Sequence, residues 1–196
     1  MSEVLRTILI VLLAGVAVTT IAIFASWWFE PSRRLRRALR RVLGGLPECE
    51  ALDVSQGRAA GLDFEGEALA VLWRSGDAGL LYEFHEIEGA ELIVDGKVLA
   101  RARRDEPRRL LDEFNPGSER VTLRLVFADH RFPEFELELF GPGSLLSDAA
   151  DGVRLGRRWL SHVEAVLKRP RPRPAPALQL EANEPPRRGD ADDAEG

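Results

Sequence analysis

The sequence predicts an α+β fold: an N-terminal transmembrane helix, then a bent antiparallel sheet or barrel of about seven strands, capped by one C-terminal helix. Three observations predict it. The stretch from Thr7 to Phe29 has no charged residue. The middle of the chain carries short apolar segments with period-2 alternation, and residues 148–168 change to helical spacing. Strands followed by one helix, without β-α alternation, are typical of an antiparallel arrangement.

Composition divides the chain into four segments. We expect a membrane anchor over 1–30, a basic amphipathic juxtamembrane helix over 31–46, a folded cytoplasmic domain over 47–168, and a disordered tail over 169–196 that is Pro-rich and then acidic. The net charge is -5, yet the juxtamembrane segment is strongly basic. A single cysteine, Cys49, excludes an intrachain disulfide, which suits a reducing compartment.

The charge-free N-terminal stretch is long enough, at about 1.5 Å per helical residue, to span a hydrocarbon core of roughly 30 Å. Trp27 and Trp28 fall at its far end, where indoles favour the interface. The arginines that follow predict an inner (plasma) membrane protein that crosses once, with its N-terminus outside. A cleaved signal peptide is the alternative, but the apolar run is long and its basic flank follows it.

The juxtamembrane segment places leucines at spacings of three and four, which predicts an amphipathic helix. Two interpretations stay open: the leucines insert among lipid headgroups, or they pack on the next domain. Six arginines fill the remaining faces and, with Trp27 and Trp28, form the candidate surface for anionic lipids: Arg33, Arg34, Arg36, Arg37, Arg40 and Arg41.

The folded segment carries the strand pattern. Two weaker candidates come first, and Asp95-Gly96 marks a hairpin because both positions favour positive φ. The candidate strands are 51–55, 61–64, 68–73, 80–84, 91–94, 98–101, 121–128 and 134–139. From Asp148 the period becomes helical, with Trp159 at the centre of the apolar face and Lys168 at the end.

Strands in meander order, then one amphipathic helix with a central Trp, resemble a pleckstrin-homology-like domain. The segments EGAELIVDGKVLA, from Glu88, and RVTLRLVFADHRFPEFELELF, from Arg120, are similar to domains of unknown function in bacterial membrane-anchored proteins. The resemblance implies an interaction module for headgroups, peptides or proteins. The headgroup site of that family is a basic first hairpin loop, whereas between residues 51 and 67 this chain has only Arg58.

Motifs for chemistry are weak. His85, His130 and His162 lie on separate predicted elements, and Cys49 has no cationic neighbour, so we expect no enzyme, metal or cofactor. The carboxylates Glu134, Glu136 and Glu138 share a strand face. They are expected to pair with Arg124, or alternatively to collect a cation. A basic cluster is expected either in a solvated loop, paired with Asp105, Glu106, Asp112 and Glu113, or facing the bilayer: Arg101, Arg103, Arg104, Arg108 and Arg109.

These observations favour a membrane-anchored interaction or scaffold module that recruits a protein partner, and they exclude nucleic acid because the basic run lacks aromatics. The alternatives are a subunit of a membrane assembly that uses its transmembrane helix, and a membrane-surface enzyme. One hypothesis adds a switch, in which the basic helix binds either anionic lipid or the Glu134–Glu138 face. The Arg-Pro repeat after Lys168 is either a plain tail or a segment recognised by a groove.

Overall fold

The computed structural model describes residues 3–28, 30–104 and 106–170. Within them the chain forms three α-helices and nine β-strands. The helices are α1 (Glu3–Trp28), α2 (Pro31–Leu43) and α3 (Ala149–Leu167). The strands are β1 (Cys49–Asp53), β2 (Arg58–Asp63), β3 (Ala68–Trp73), β4 (Ala78–Glu83), β5 (Ile87–Val94), β6 (Lys97–Arg103), β7 (Glu106–Leu110), β8 (Val121–Phe127) and β9 (Glu134–Phe140).

The N-terminal helix requires a correction. In the described part of the chain no helix combines the length and the apolar content that a membrane crossing needs. The predicted transmembrane anchor, its single-pass topology and the inner-membrane localisation with a cytoplasmic C-terminal domain are therefore wrong.

The strands form two antiparallel sheets, in the orders β1-β2-β3-β4 and β7-β6-β5-β8-β9. The prediction of one bent sheet or barrel of about seven strands in meander order is therefore wrong as well. In the second sheet β8 returns to pair with β5 instead of β7, which is the Greek-key arrangement. The missed strand is β7, whose sequence EPRRL is polar because it lies at the sheet edge.

The hairpin between β5 and β6 confirms the prediction made for Asp95-Gly96. Asp95 has φ 48° and Gly96 has φ 80°, the left-handed values that a tight two-residue turn requires. The Asp95 carboxylate also accepts hydrogen bonds from the backbone N–H groups of Glu119 and Arg120, each at 3.0 Å. It thereby fixes the chain entering β8 beside the hairpin, and these bonds lower the pKa of Asp95.

Two clusters of buried side chains hold these layers together. The larger lies among both sheets and α3, and includes Leu62, Leu92, Leu123 and Trp159. The smaller lies between α2 and the outer face of the first sheet. The first sheet is thus covered on both faces, which explains why β2 and β3 bury four consecutive residues each instead of alternating.

Helix α3 confirms the predicted apolar face. Val153, Gly156, Trp159 and Val163 are all buried. The Asp148 side chain caps the helix by accepting the Asp151 N–H at 2.7 Å. Since α3 packs on β5, β6, β8 and β9, it covers the second sheet and ends beside the first.

Candidate functional site

Helix α2 settles the choice between the two interpretations of its leucines. Leu35 and Leu39 are completely buried and pack with Ala59, Ala70 and Leu72 of the first sheet. The interpretation in which they pack on the next domain is therefore confirmed, and these two side chains are not available to lipid. Gly44, with φ 76°, ends the helix in the left-handed conformation.

The arginines of α2 attach the helix to the first sheet at two points. The Arg34 guanidinium donates to Asp77 at 2.7 Å, and Arg36 donates to Glu50 at 2.8 Å. Arg33 pairs with Glu30 at 3.0 Å, Arg37 donates to the Arg33 carbonyl, and Arg40 and Arg41 are exposed. The side chains of Trp27 and Trp28 lie outside the described residues. That these residues contact anionic lipid stays a prediction.

The switch hypothesis places the α2 arginines against the Glu134–Glu138 face, whereas in the structure α2 packs on the first sheet. Arg34 binds Asp77, directly before β4, and Arg36 binds Glu50 of β1. On the second sheet Arg124 instead pairs with Glu136 at 2.6 Å and Glu134 at 3.5 Å. The predicted pairing of these carboxylates with Arg124 is thus confirmed for two of the three, and Glu138 pairs with Arg120 at 3.0 Å.

The second sheet buries one further carboxylate beneath that ion-pair row. Glu91 is 6 % exposed and is bound by Arg103 at 3.0 Å and Arg124 at 3.2 Å. A buried carboxylate requires such partners because desolvation otherwise disfavours its charge. Hydrogen bonding to Glu136 raises the pKa of Arg124 further above its usual range. This row of charges is consequently a structural element of the sheet.

The predicted basic loop forms a hairpin instead. Arg101 pairs with Glu106 at 3.2 Å across β6 and β7, and Arg108 donates to the Ser161 hydroxyl on α3 at 2.9 Å. Arg104 donates to the carbonyls of Ile87 at 2.8 Å and Leu167 at 3.3 Å, which ties β6 to the end of α3. The expectation of a loop is wrong, because the segment pairs as β6 and β7. The expected pairing with neighbouring carboxylates is confirmed for Arg101, which binds Glu106, whereas Asp105 lies outside the described residues.

The three histidines remain on separate elements. His85 follows β4, His130 lies between β8 and β9, and His162 is on α3. The His162 ring packs on Phe64 with centroids 5.4 Å apart, and burial lowers the pKa of His162. Within the described ranges no three His, Cys, Asp or Glu side chains are grouped to hold a metal ion.

Cys49 is 4 % exposed in the main core, and burial raises the pKa of its thiol to about 11. Since the thiolate is the nucleophile, we expect iodoacetamide at pH 8 to alkylate Cys49 at least about tenfold more slowly in the native chain than in urea-unfolded chain. Mass spectrometry of timed samples measures both rates. Equal rates in the two states would contradict the buried placement.

An aromatic groove lies where the two sheets diverge. It is a cavity of about 350 Å³ between β3 and β4 on one side and β9 with its preceding loop on the other. Trp73, Phe132 and Phe135 form its walls, with Trp73 at 6.0 Å and 6.5 Å from the other two ring centroids. The groove is also lined by Arg58, Val71, Leu80, Tyr82, Glu134 and Glu136. Small-molecule and peptide sites commonly combine apolar walls with a few polar groups in this way.

Neighbouring side chains hold two sides of the groove in place. Arg58, the one basic residue of the first strands, donates to the Glu136 carbonyl at 3.0 Å and lies over the Phe135 ring. The Tyr82 ring stacks on Phe127 with centroids 3.9 Å apart, and its hydroxyl donates to Asp129 at 3.3 Å. Burial beside Asp129 raises the pKa of Tyr82 to about 12, so the hydroxyl keeps its proton.

Strand β4 borders this groove and is the outer strand of the first sheet. The Glu83 N–H donates to the Glu86 carboxylate at 2.8 Å instead of to β3, so the backbone groups of Glu83 face away from the sheet. Because antiparallel pairing alternates, those of Leu81 and Gly79 face the same way. Leu80 and Tyr82 point into the groove, and Leu81 on the opposite face is 53 % exposed.

Sequence reasoning missed this groove. Phe132 is 42 % exposed and lies in the segment that connects the predicted strands 121–128 and 134–139. An aromatic residue in a polar loop is a usable signal for a binding surface. Trp73 comes together with Phe132 and Phe135 only because the two sheets pack against each other, and no local sequence pattern predicts that packing.

No family model, curated protein sequence or solved structure matches this chain. The resemblance to pleckstrin-homology-like domains therefore stays a prediction.

Proposed function

We propose that the domain is a protein-interaction module that binds an extended segment of a partner protein along the β4 edge. The observation that carries this proposal is the outward-facing edge of β4 directly beside the aromatic groove. Strand addition supplies affinity through backbone hydrogen bonds, and pockets for alternate side chains supply specificity. Both requirements meet at this strand, since Gly79 and Leu81 direct backbone groups outward while Leu80 and Tyr82 line the groove.

The chemistry of the groove favours an apolar or proline side chain at the positions that face it. Trp73, Phe132 and Phe135 give flat apolar walls, and aromatic-lined grooves are the usual receptors of extended proline-containing peptides. Two carboxylates stand at the rim, Glu134 and Glu136; both pair with Arg124, and Glu134 is 57 % exposed. A partner with cationic residues beside its apolar ones fits this surface.

The test is a selection of random dodecapeptides on the intact protein, followed by measurement of dissociation constants. Phe132→Ala removes an exposed wall of the groove with little effect on folding. We expect selected peptides to lose at least about tenfold in affinity, since truncating a central aromatic residue commonly costs more than about 1.4 kcal/mol. Leu145→Ala is the matched control, because Leu145 is similarly exposed, at 54 %, and lines neither described cavity.

Two outcomes contradict the proposal: no peptide is enriched, or peptides bind the Phe132→Ala and Leu145→Ala variants equally well. The predicted alternative that relied on a transmembrane helix is withdrawn with that helix. That the chain is not an enzyme and takes no cofactor stays a prediction, as does the absence of nucleic acid among its partners.

A further inference from the structure

The described chain ends at a second cavity, of about 820 Å³, at the far end of β4. Its lining includes Leu81 and Glu83 of β4 as well as Arg169 and Pro170. The Arg169 guanidinium pairs with Glu67 at 2.6 Å and lies 5.2 Å from the centre of the Phe84 ring. The first Arg-Pro unit of the C-terminal repeat is thus already bound beside the β4 edge.

The repeat continues from there with a suitable length. Residues 169–174 read Arg-Pro-Arg-Pro-Arg-Pro, followed by Ala-Pro. An extended proline-rich segment advances about 3.1 Å per residue, so residues 171–176 reach about 19 Å. In antiparallel direction residues 171–174 face Leu81 to Ala78, a part of β4 that spans about 13 Å at roughly 3.3 Å per residue, so the segment is long enough to cover it. The segment starts beside Glu83, at the C-terminal end of β4, so a segment that runs along β4 from there is antiparallel to it.

We propose that the β4 edge binds the chain's own segment 171–176, with its arginines in the backbone-pairing positions. This inference rests on the proposed function and names its first ligand. Proline lacks an N–H, so it is tolerated in an edge strand only where that position faces solvent. In a period-2 repeat every arginine N–H then faces β4. The prolines, which have no N–H to donate, take the positions whose backbone groups face away from β4.

The same register also places the side chains of the segment on suitable faces of the sheet. Residues directly opposite each other in a pair of strands share a face. Arg171 and Arg173, opposite Leu81 and Gly79, project on the face of Glu83, whose side chain is 75 % exposed. Pro172 between them, opposite Leu80, projects on the groove side, and Pro170, which precedes the segment, falls opposite Tyr82 on the same side. Charge and shape both match, and the segment competes with any partner that uses the same edge.

Amide hydrogen exchange on the full-length chain tests this. In the wild type we expect Gly79 and Leu81 to exchange at least about tenfold more slowly than in the variant Arg171→Pro/Arg173→Pro, which removes the two donors. Tyr82, paired with β3, serves as the internal reference and keeps its rate. The matched variant Pro172→Ala/Pro174→Ala retains the Gly79 and Leu81 protection within about threefold, since those positions donate nothing to β4.

Equal exchange of Gly79 and Leu81 in the wild type and in Arg171→Pro/Arg173→Pro overturns the inference. Protection that depends on protein concentration overturns it too, because a second copy then covers the edge. Running the peptide selection on Arg171→Pro/Arg173→Pro separates the two proposals. If Gly79 and Leu81 are unprotected in the wild type but peptides bind, the proposed function holds and the inference about segment 171–176 fails. If these amides are protected in the wild type but no peptide is selected, the segment binds the edge and the proposed function fails.

Discussion

Replacing Trp159 by Ala lowers the free energy of unfolding by about 3–5 kcal/mol, the largest loss that we expect from a single truncation in this chain. Trp159 is completely buried in the main core, on the face of α3 that packs on the second sheet. Truncation to Ala leaves a cavity as well as removing apolar area, and the surrounding layers relax only in part. Urea unfolding followed by far-UV circular dichroism measures the change.

Trp159→Phe provides the comparison that identifies the cause. The indole Nε1 is buried and has no hydrogen-bond partner among the described residues, so Phe removes an unsatisfied donor while it keeps most of the apolar contact. We expect Trp159→Phe to cost less than half as much as Trp159→Ala. An equal loss for both variants would contradict this account. Leu145→Ala, at an exposed site, is expected to stay within about 0.5 kcal/mol of the wild type.

Periodicity predicted the parts of this fold in which one face of an element is buried. The α3 face, the β8 and β9 alternation and the Asp95-Gly96 turn all follow from local sequence, since each depends on neighbours within a few residues. Helix α2 was predicted as amphipathic, but pattern alone could not say what covers Leu35 and Leu39. Lipid and protein bury a leucine equally well, so the pattern does not distinguish them. In the structure the outer face of β2 and β3 covers both leucines.

Other parts depend on pairing across long distances. The sequence of β7 gives no strand signal because edge strands carry charge and proline, and the Greek-key return of β8 leaves no local trace. The aromatic groove joins residues about sixty positions apart in sequence, Trp73 and Phe132, and this separation hides it from any local pattern. For the N-terminal helix, the absence of charge between Thr7 and Phe29 predicts a membrane crossing, which the structure does not support.

The first sheet connects these observations to function. Its outer face is closed by α2, its inner face by the main core, and β1 lies against β9, so β4 carries its remaining unpaired edge in the described part of the chain. Natural proteins usually protect such edges with charge, proline or a covering segment. The Arg-Pro repeat that begins beside β4 supplies both charge and proline. The repeat is therefore suited to protect this edge.

Leu39→Asp is expected to release α2 from the first sheet without unfolding the rest of the domain. Burying a leucine stabilises by about 1.5–3 kcal/mol, so the attachment of α2 depends on Leu35 and Leu39. An unpaired carboxylate at position 39 costs several kcal/mol if it stays buried, which exceeds that contribution. The exposed pairs Arg34–Asp77 and Arg36–Glu50 contribute too little to hold the helix in place.

Trypsin measures this release, because α2 carries six arginines that are protected while the helix is docked. We expect cleavage within residues 33–41 to be at least about tenfold faster in Leu39→Asp than in the wild type, with tryptophan fluorescence of the core retained. Val42→Asp is the matched control on the same helix, where the side chain is 41 % exposed, and it should leave the rate unchanged. Equal rates for Leu39→Asp and Val42→Asp would mean that α2 is held by something other than its leucines. Acceleration by Leu39→Asp alone would show that the apolar contact with β2 and β3 is required to hold the helix in place.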